Sequence, residues 1–223
     1  AVRLLVTRPE PGASATVQRL AGLGHEPTAL PCLAITPVPA RLPPHPAALI
    51  VTSGQAVPAL PARLHGVPVF CVGDATAAKL REAGFTRVES AQGDAEALTK
   101  LVIARNVPGL HVLTVGERHG QKLAAELRAA GFSVLRRRVY TVSPLRVMPD
   151  EIRDRLAAQD FDGVLFYSAE TARAFARLQP LGTAGMRAYA LSQNVAKGLQ
   201  GLPWAAILIA RAPTEADLMA LLA

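Results

Sequence analysis

The side chains that could do chemistry in this chain are small polar groups and arginines that follow short apolar runs. If those runs are strands of an open parallel sheet, these residues lie beyond the carboxyl ends of the strands, where ligands bind in such sheets. Helix N-termini at that edge offer free N–H groups to carboxylates or phosphates. The residues are Thr7, Arg8, Thr52, Ser53, Gly73, Asp74, Thr76, Gly116, Arg118, Ser168, Ser192 and Asn194. Any one of them could simply cap a helix, but together they predict a site for a large anion.

Other kinds of site are not indicated. The dinucleotide fingerprint GxGxxG does not occur, and GERHGQK at 116–122 lacks the spacing of a P-loop. Ser53 and Ser168 follow apolar runs but lack the GxSxG elbow of a nucleophilic serine. The five histidines are scattered, and no spacing typical of metal ligands is found. We therefore expect neither a metal nor a catalytic triad.

Tyr140 is the residue for which the sequence suggests acid chemistry. If 134–140 forms a strand, Arg136, Arg138 and Tyr140 share one face, because side chains alternate along a strand. The hydroxyl would then reach a cleft as a hydrogen-bond or proton donor. In the alternative interpretation, the tyrosine packs its ring on the sheet and has a structural role. Both interpretations fit the sequence.

The composition indicates a globular chain with an excess of basic residues. Half of the 223 residues are hydrophobic and only 4% are aromatic, so Ala, Val and Leu must form the core. The net charge of +7 favours an anionic partner such as nucleic acid, acidic lipid or a polycarboxylate, although basic residues also serve solubility. Aromatic and basic residues are little interleaved, which argues against a platform for single-stranded nucleic acid.

The cysteines and the length of the apolar runs indicate the cellular compartment of the protein. The two cysteines, Cys32 and Cys71, form neither a disulfide framework nor a metal motif, and both lie in apolar runs. No apolar run reaches the length of about 18 residues that a transmembrane helix needs. The N-terminal stretch reaches Pro9 too soon for a signal peptide. We therefore expect a cytoplasmic protein.

Strand-like and helix-like segments alternate along the chain, and their order occurs twice. VRLLVT near the N-terminus matches LHVLTV at 110–115, and AALIVTS at 47–53 matches DGVLFYS at 162–168. VPVFCVGDATAAKLREAG at 67–84 matches MRAYALSQNVAKGLQG at 186–201. Continuous apolar strands that alternate with helices are typical of parallel sheets covered on both faces. The sequence predicts an internal duplication of a flavodoxin-like α/β unit.

Apolar spacing and flanking glycines predict the helices. One helix is expected over 55–64 in spite of Pro58 and Pro61, and another over 118–130, where Gly131 ends it.

Two domain arrangements are consistent with the repeat. A tandem arrangement would place the boundary near residue 108. However, proline-rich stretches interrupt each series after its second strand, and prolines favour exits from a sheet. In the interleaved arrangement, 38–142 forms one domain and 1–37 joins 143–223 in the other. Two linkers would then cross between the domains beside a hinged cleft.

The order and spacing of the motifs resemble those of the uroporphyrinogen-III synthase family over nearly the whole chain. The motifs are LLVTRP, LPCLAITPV, IVTSGQAV, VFCVGDATAAKLREAGF, VYTVSP, VLFYSAETARAF, YALSQNVAKGL and APTEADLMALL. The resemblance implies the interleaved arrangement: two similar flavodoxin-like three-layer domains with parallel sheets, joined by a two-stranded linker. It also implies a dehydrative cyclisation of hydroxymethylbilane, with inversion of ring D, to uroporphyrinogen III in tetrapyrrole biosynthesis. Neither a cofactor nor a metal is implied.

The resemblance also implies roles for particular residues. Tyr140 in VYTV corresponds to the family's active-site tyrosine, which would assist the loss of hydroxide. Motif matches and the strand-edge argument together give the expected substrate-binding residues, which are Arg8, Thr52, Ser53, Gly73, Thr76, Gly116, Arg118, Ser168 and Asn194. Many relatives carry a threonine where this chain has Asn194 or Val195, so the chain departs from the family there.

Two other functions are consistent with the same sequence. One is a non-enzymatic two-domain protein that binds an anionic metabolite, and the other is a basic nucleic-acid binder. The products formed from hydroxymethylbilane would separate the first from an enzyme, and salt-dependent retention on DNA would reveal the second. Our expectation is a small-molecule substrate, no nucleic-acid or membrane partner, and a monomer.

Overall fold

Two β-sheets organise the chain, one of them wholly parallel and the other mostly parallel. The computed structural model describes residues 1–223. One unit consists of Ala1–Ala34 and Ser143–Ala223, and the other consists of Ile35–Val142. The chain therefore passes between the units twice, and the prediction of two α/β units interleaved in sequence is confirmed.

The first unit is built on five strands. They are β1 (Arg3–Val6), β2 (Glu26–Ala29), β9 (Gly163–Phe166), β10 (Arg187–Ala190) and β11 (Ala206–Ile209). Their order in the sheet is β11–β10–β9–β1–β2, and every neighbouring pair is parallel. The helices are α1 (Gly12–Gly22), α5 (Asp150–Ala157), α6 (Ala169–Arg177), α7 (Gln193–Lys197) and α8 (Glu215–Ala220), with a 3₁₀ turn at Thr183–Gly185.

The sheet of the second unit has six strands. They are β3 (Leu33–Pro37), β4 (Ala48–Val51), β5 (Val69–Cys71), β6 (Val88–Ser90), β7 (Leu110–Gly116) and β8 (Ser133–Pro144), in the order β3–β8–β7–β4–β5–β6. The pairs among β4, β5, β6, β7 and β8 are parallel. Its helices are α2 (Asp74–Glu82), α3 (Ala95–Arg105) and α4 (Gln121–Ala129). No helix of the chain is both long and apolar enough to cross a membrane.

Strands β3 and β8 are the two segments in which the chain crosses between the units. The Val38 N–H donates to the Val139 carbonyl at 3.0 Å, and the Leu145 N–H donates to the Cys32 carbonyl at 2.8 Å. Residue numbers rise on one segment as they fall on the other, so the two segments run antiparallel. The predicted two-stranded linker is therefore present.

The two sheets have the same strand arrangement although the chain visits it in a different order. The order β8–β7–β4–β5–β6 in the second unit corresponds strand for strand to β2–β1–β9–β10–β11 in the first. The repeated sequences occupy equivalent strands: VRLLVT and LHVLTV include β1 and β7, and AALIVTS and DGVLFYS include β4 and β9. Numbered along the chain, the strands of the first unit have the flavodoxin-like order 2-1-3-4-5, and the second unit has the same spatial arrangement but begins at a different strand.

Both faces of the central strand β4 are buried. Leu49 and Val51 pack in a cluster with apolar residues of 54–59 and α2, whereas Ala48 and Ile50 pack in a second cluster with residues of α3 and α4. A strand covered on both faces needs apolar side chains at every position, which is why ALIV shows no alternation. The second unit therefore has three layers, as predicted.

The prediction of a single helix over 55–64 is wrong. Two 3₁₀ helices, Gly54–Ala59 and Ala62–Leu64, occupy this segment, and Leu60 between them is extended. Pro58 lies inside the first helix and Pro61 immediately precedes the second. Proline lacks the N–H that continues an α-helix, so the chain uses short 3₁₀ turns instead.

Ion pairs join residues at the amino edge of the first sheet. Arg3 at the start of β1 binds Asp160 at 2.7 Å and Asp162 at 2.8 Å, and Arg155 binds Asp160 at 2.7 Å. The hydrogen bonds from Arg155 and Arg3 lower the pKa of the Asp160 carboxyl. Some of the basic residues are therefore paired far from the carboxyl edge and are not available to an anionic ligand.

His111 in β7 is buried with one ring nitrogen unsatisfied. Its Nδ1 lies 3.1 Å from the Gly109 carbonyl oxygen and must carry a proton to make this hydrogen bond, while Nε2 has no partner. Burial lowers the pKa of His111, and the bond to Gly109 acts in the opposite direction. The fold therefore favours the neutral ring.

We predict that His111 makes the protein less stable in mild acid. Below about pH 6.5, the ordinary pKa of histidine, the unfolded chain binds a proton that the folded ring resists, so the free energy of unfolding decreases as pH falls. The measurement is urea unfolding at several values between pH 8 and pH 5. His111→Gln removes the titrating group and should flatten this dependence, whereas the exposed His45→Gln should leave it as in the wild type. A His111→Gln protein with the wild-type pH dependence would refute the prediction.

Candidate active site

Each sheet has a switch point at which the strand order reverses. In the first unit it lies between β1 and β9, and in the second between β7 and β4. Connections leave the two strands of such a pair towards opposite faces, which opens a crevice at the carboxyl edge. Arg8 and Ser168 follow β1 and β9, whereas Gly116 and Ser53 lie at the ends of β7 and β4. These four sequence-predicted residues therefore lie at the switch points, whereas Gly73 and Thr76 follow β5 and Asn194 follows β10, the strands next to them.

Arg8 is held in a fixed orientation at the edge of the first sheet. Its Cζ lies 4.2 Å from the centroid of the Tyr167 ring, and its Nη1 donates to Thr16 Oγ1 at 3.2 Å. A Cβ at Gly12 would lie only 2.4 Å from Arg8 Nε, so the glycine leaves room for the guanidinium group. Glu215 is its carboxylate neighbour, with Oε2 at 3.6 Å from Nη1. The sequence argument found Arg8 but missed Tyr167, Thr16 and Glu215.

The Tyr167 hydroxyl belongs to the same group. It lies 3.4 Å from Thr16 Oγ1. Burial is the main cause that raises the pKa of Tyr167, so the phenol remains protonated at neutral pH and can donate a hydrogen bond. Thr7, by contrast, is buried and donates its hydroxyl to the Leu165 carbonyl at 2.6 Å, which occupies it within the sheet.

Ser168 and Ser192 have the helix-capping role that the sequence left open. Ser168 Oγ accepts the Thr171 N–H at 3.1 Å and donates to Thr171 Oγ1 at 2.8 Å, at the start of α6. Ser192 Oγ accepts the Val195 N–H at 3.4 Å, at the start of α7. Asn194 is exposed in the first turn of α7.

In the second unit, the segments after β4 and β5 bring together the next group. Ser53 Oγ caps the first 3₁₀ helix by accepting the Gln55 N–H at 3.2 Å, and Thr52 beside it is half-buried. Gly73 precedes α2 in an extended conformation, and Thr76 lies half-buried in the first turn of that helix. Backbone N–H groups at the start of α2 therefore point towards the carboxyl edge.

Lys79 is a cation at this edge that sequence reasoning missed. A Cβ at Gly54 would lie 2.6 Å from Lys79 Cδ and 3.1 Å from its Nζ, so the lysine side chain lies across the glycine. The sequence could have indicated Lys79 as a site residue, because it lies three residues after Thr76 and residues at this spacing share a helix face.

A β-bulge sets the position of Tyr140. Val115 pairs with Arg138 and Gly116 pairs with Tyr140, so Val139 is an extra residue on β8. Val139 and Tyr140 are consecutive and yet pack in the same core cluster, which a regular strand would not produce because its successive side chains point to opposite faces.

The bulge contradicts the prediction that Tyr140 shares a face with Arg136 and Arg138. Val134 packs in the cluster that includes Leu113, on the side of α3 and α4, and regular alternation from Val134 would carry Tyr140 to that side. Instead, Tyr140 joins Val139 in the cluster on the opposite face. The two arginines interact with the loop after β7: Arg138 pairs with Glu117 at 3.1 Å, and Arg136 Nε donates to the His119 carbonyl at 2.6 Å.

The Tyr140 ring packs directly against Gly116. Tyr140 is 5% exposed, and a Cβ at Gly116 would lie 2.6 Å from its Cε2, 2.7 Å from Cζ and 2.9 Å from the hydroxyl oxygen. The ring therefore has the packing role considered from sequence, and its hydroxyl lies at the end of β7 beside the switch point. Two predicted residues, Gly116 and Tyr140, are thus brought together.

Arg118 lies in the turn that follows Gly116. It is exposed and has a left-handed backbone with φ of 65°, and Gly120 in the same turn has φ of 81°. These conformations cannot belong to an α-helix, so α4 begins at Gln121 and not at 118 as predicted.

The thiols are not placed for nucleophilic chemistry. Both cysteines are buried and free, and burial raises the pKa of Cys32 to about 12 and that of Cys71 to about 11. A thiol with so high a pKa is present as thiolate only in trace amounts at neutral pH. No group of three or more His, Cys, Asp and Glu side chains is arranged to hold a metal ion. The edges instead offer hydroxyls, backbone N–H groups, arginines and a lysine.

The chain is similar to known proteins at the level of a sequence family and of a fold. The model of the family described as uroporphyrinogen-III synthase HemD (HEM4) matches residues 14–220. A uroporphyrinogen-III synthetase structure from Helicobacter pylori gives a TM-score of 0.69 at 16% identity, over 100% of this chain and 98% of that one. A mutant uroporphyrinogen III synthase from the extremely thermophilic bacterium Thermus thermophilus gives 0.56 at 17% identity, over 99% and 97%. A search of curated protein sequences gave no match.

The contact between Gly116 and Tyr140 leads to a prediction. Gly116→Ala should push the tyrosine ring away and lower the free energy of unfolding by about 1–3 kcal/mol, because overpacking forces side chains and backbone to shift. The measurement is urea unfolding. Gly66→Ala is the matched control, since a Cβ at Gly66 meets nothing within 4 Å.

A double-mutant cycle shows whether the cost comes from this contact. In a Tyr140→Leu background the phenol ring is gone, so Gly116→Ala should cost less than in the wild type. An equal cost in the two backgrounds would show that the glycine is needed for another reason.

Proposed function

Because the chain belongs to the uroporphyrinogen-III synthase family, we propose that it closes hydroxymethylbilane to uroporphyrinogen III with inversion of ring D. The observation that carries this proposal is the family match over residues 14–220. The chemistry of the two carboxyl edges supports it, since they offer groups that bind carboxylates and polar hydroxyls. Nothing observed favours a non-enzymatic binding protein or a nucleic-acid binder.

The reaction requires the loss of a leaving group and the inversion of one pyrrole ring. The hydroxyl of the terminal hydroxymethyl group of the linear tetrapyrrole leaves as water, and the CH₂ carbon that remains becomes the electrophilic centre of an azafulvene cation. This cation attacks the substituted carbon of ring D and forms a spiro intermediate. One bond of the intermediate then breaks and re-forms at the other position, so the macrocycle closes with ring D inverted. The atoms balance as loss of one water, with no net oxidation or reduction.

We propose Tyr140 as the residue that assists the departure of hydroxide. Its hydroxyl would donate a proton or a hydrogen bond to the leaving oxygen, as a general acid does. Support comes from the position of its ring on Gly116, at the carboxyl end of β7. The bulge at Val139 turns the tyrosine away from the face of Arg136 and Arg138, so these two arginines have no part in this proposal.

We propose that the polar groups at each edge bind carboxylates of the substrate, which carries eight. Side chains and backbone N–H groups would contribute at Arg8, Thr52, Ser53, Gly73, Thr76, Gly116, Arg118, Ser168 and Asn194, and we add Lys79 to this set. Ser53 and Ser168 each orient a helix start, so their contribution is through the N–H groups they arrange as much as through the hydroxyl. The net charge of +7 favours an anionic substrate.

The main task of the enzyme is to hold one conformation of the substrate. Hydroxymethylbilane also cyclises unaided, to the isomer without inversion. An enzyme that fixes the orientation of ring D relative to the cation selects which carbon is attacked. Rigid edges with many weak hydrogen bonds suit this task better than one strong nucleophile. We also propose that the protein acts as a monomer in the cytoplasm, and its free cysteines support a reducing compartment.

The first prediction from this function concerns the product. Purified protein incubated with hydroxymethylbilane should give predominantly the type III isomer, faster than the spontaneous closure, as resolved by chromatography after oxidation to porphyrins. If the protein yields only the type I isomer at the spontaneous rate, the proposed function is wrong.

The second prediction concerns Tyr140. Tyr140→Phe keeps the ring on Gly116 and removes the hydroxyl, so kcat should fall by about 10²-fold, the usual loss for a general acid. The affinity for uroporphyrin, a stable oxidised analogue of the product, should change little. Tyr189→Phe is the matched control, because Tyr189 is another buried tyrosine whose ring packs on a glycine, Gly163. An undiminished kcat in Tyr140→Phe would remove Tyr140 from the mechanism.

A further inference from the structure

We propose that Glu215 is an internal counter-ion which occupies Arg8 until a carboxylate of the substrate displaces it. The proposal rests on the proposed function, since it names how one group of that substrate is bound. It concerns the switch point between β1 and β9 in the first unit.

The orientation of the Arg8 guanidinium group is fixed without help from Glu215. The group stacks on Tyr167 at 4.2 Å, donates to Thr16 at 3.2 Å and fills the space left by Gly12. Only about a quarter of the Arg8 side chain is exposed, at 25%. An arginine that is already oriented loses less conformational freedom when it binds a ligand.

The ion pair that Arg8 forms with Glu215, in contrast, is long. Glu215 Oε2 lies 3.6 Å from Arg8 Nη1, and Glu215 Oε1 lies 3.7 Å from Arg19 Nη1. Charge-assisted hydrogen bonds between guanidinium and carboxylate groups are typically about 2.7–2.9 Å long, and the strongest are bidentate. Glu215 is therefore one carboxylate shared at a distance by two arginines, and a ligand carboxylate could approach Arg8 more closely.

The surroundings of Arg8 suit a carboxylate of a ligand. Tyr167 lies directly after β9, so its hydroxyl and the Arg8 guanidinium come from the two strands of the switch point. The hydroxyl stays protonated and can donate to the same carboxylate. When the ligand carboxylate enters, Glu215 can keep its interaction with Arg19, which is 57% exposed and lies on α1. The exchange thus replaces one carboxylate by another without leaving either arginine unpaired.

This arrangement predicts that Glu215 weakens the binding of anionic ligands. At 3.6 Å the pair between Arg8 and Glu215 is too long for a charge-assisted hydrogen bond, so we expect it to contribute no more than a surface ion pair, up to about 1 kcal/mol, and Glu215→Gln should tighten the binding of uroporphyrin by about 2–5-fold. Arg8→Gln should weaken it by about 10-fold or more, because a charge-assisted hydrogen bond is lost. In the Arg8→Gln background, Glu215→Gln should have little further effect, since the group for which Glu215 competes is gone.

The experiment measures the dissociation constant of uroporphyrin by its fluorescence for the wild type, the two single variants and the double variant. Asp217→Asn is the control for net charge, because Asp217 lies on the same helix as Glu215 and contacts Thr214 instead of an arginine. Thermal unfolding of each variant reports whether the fold is kept. The predicted pattern is tighter binding in Glu215→Gln, unchanged binding in Asp217→Asn, and loss of the Glu215 effect when Arg8 is absent.

Several results would overturn the proposal. They are an unchanged or weaker affinity in Glu215→Gln, an equal gain in Asp217→Asn, an equal Glu215 effect with and without Arg8, or no binding of uroporphyrin by the wild type. The binding measurement needs no turnover, so it is separate from the product assay. A wild type that forms the type III isomer but is insensitive to Glu215→Gln refutes this proposal alone. A wild type that forms no type III isomer refutes the proposed function.

Discussion

The parallel pairing of β1 with β9, and of β7 with β4, is the constraint on which the rest of the structure depends. In both sheets these are the neighbours between which the strand order reverses. Parallel strands place all their carboxyl ends at one edge, and the reversal keeps the helices from closing over that edge. Arg8 and Tyr167 come within stacking distance only because β1 and β9 are neighbours, although the two residues are far apart in the chain.

The same constraint explains why the edges carry weak polar groups instead of strong nucleophiles. Tight turns from strand to helix need residues such as Ser53, Gly73 and Ser168, which leave helix N–H groups facing the edge. A family whose reaction closes a polyanionic chain gains most from groups that hold the substrate in one conformation. The acid proposed for this reaction, Tyr140, owes its position to local packing: one extra residue in β8 and one glycine in β7 bring its hydroxyl to the end of the sheet.

The sequence predicted those features that depend on continuous local patterns. Buried parallel strands such as ALIV are apolar at every position, and their repetition indicated two similar units, whose equivalent strands the structure confirms. Features that depend on a single residue or on long-range contact were not predictable in this way. The local sequence does not reveal the bulge at Val139, so the prediction of the face on which Tyr140 lies was wrong. In the sequence, Lys79 cannot be distinguished from other exposed helical lysines, because its contact with Gly54 forms only in the folded unit. The same is true of Glu215, which comes close to Arg8 only in the folded unit. Pro58 and Pro61, in contrast, are visible in the sequence, and in the structure their effect on the backbone outweighs the helical spacing of the apolar residues.

The most direct test of the account is hydrogen–deuterium exchange of the whole protein with and without uroporphyrin. If ligands bind at the carboxyl edges around the switch points, protection should appear in the segments that follow β1, β4, β5, β7, β9 and β10, which include Arg8, Ser53, Thr76, Arg118, Ser168 and Asn194. The amino edges, near Arg3 and Gly109, should exchange as before. Protection confined to the amino edges, or spread evenly over both edges, would contradict the claim that the strand order determines where the substrate binds.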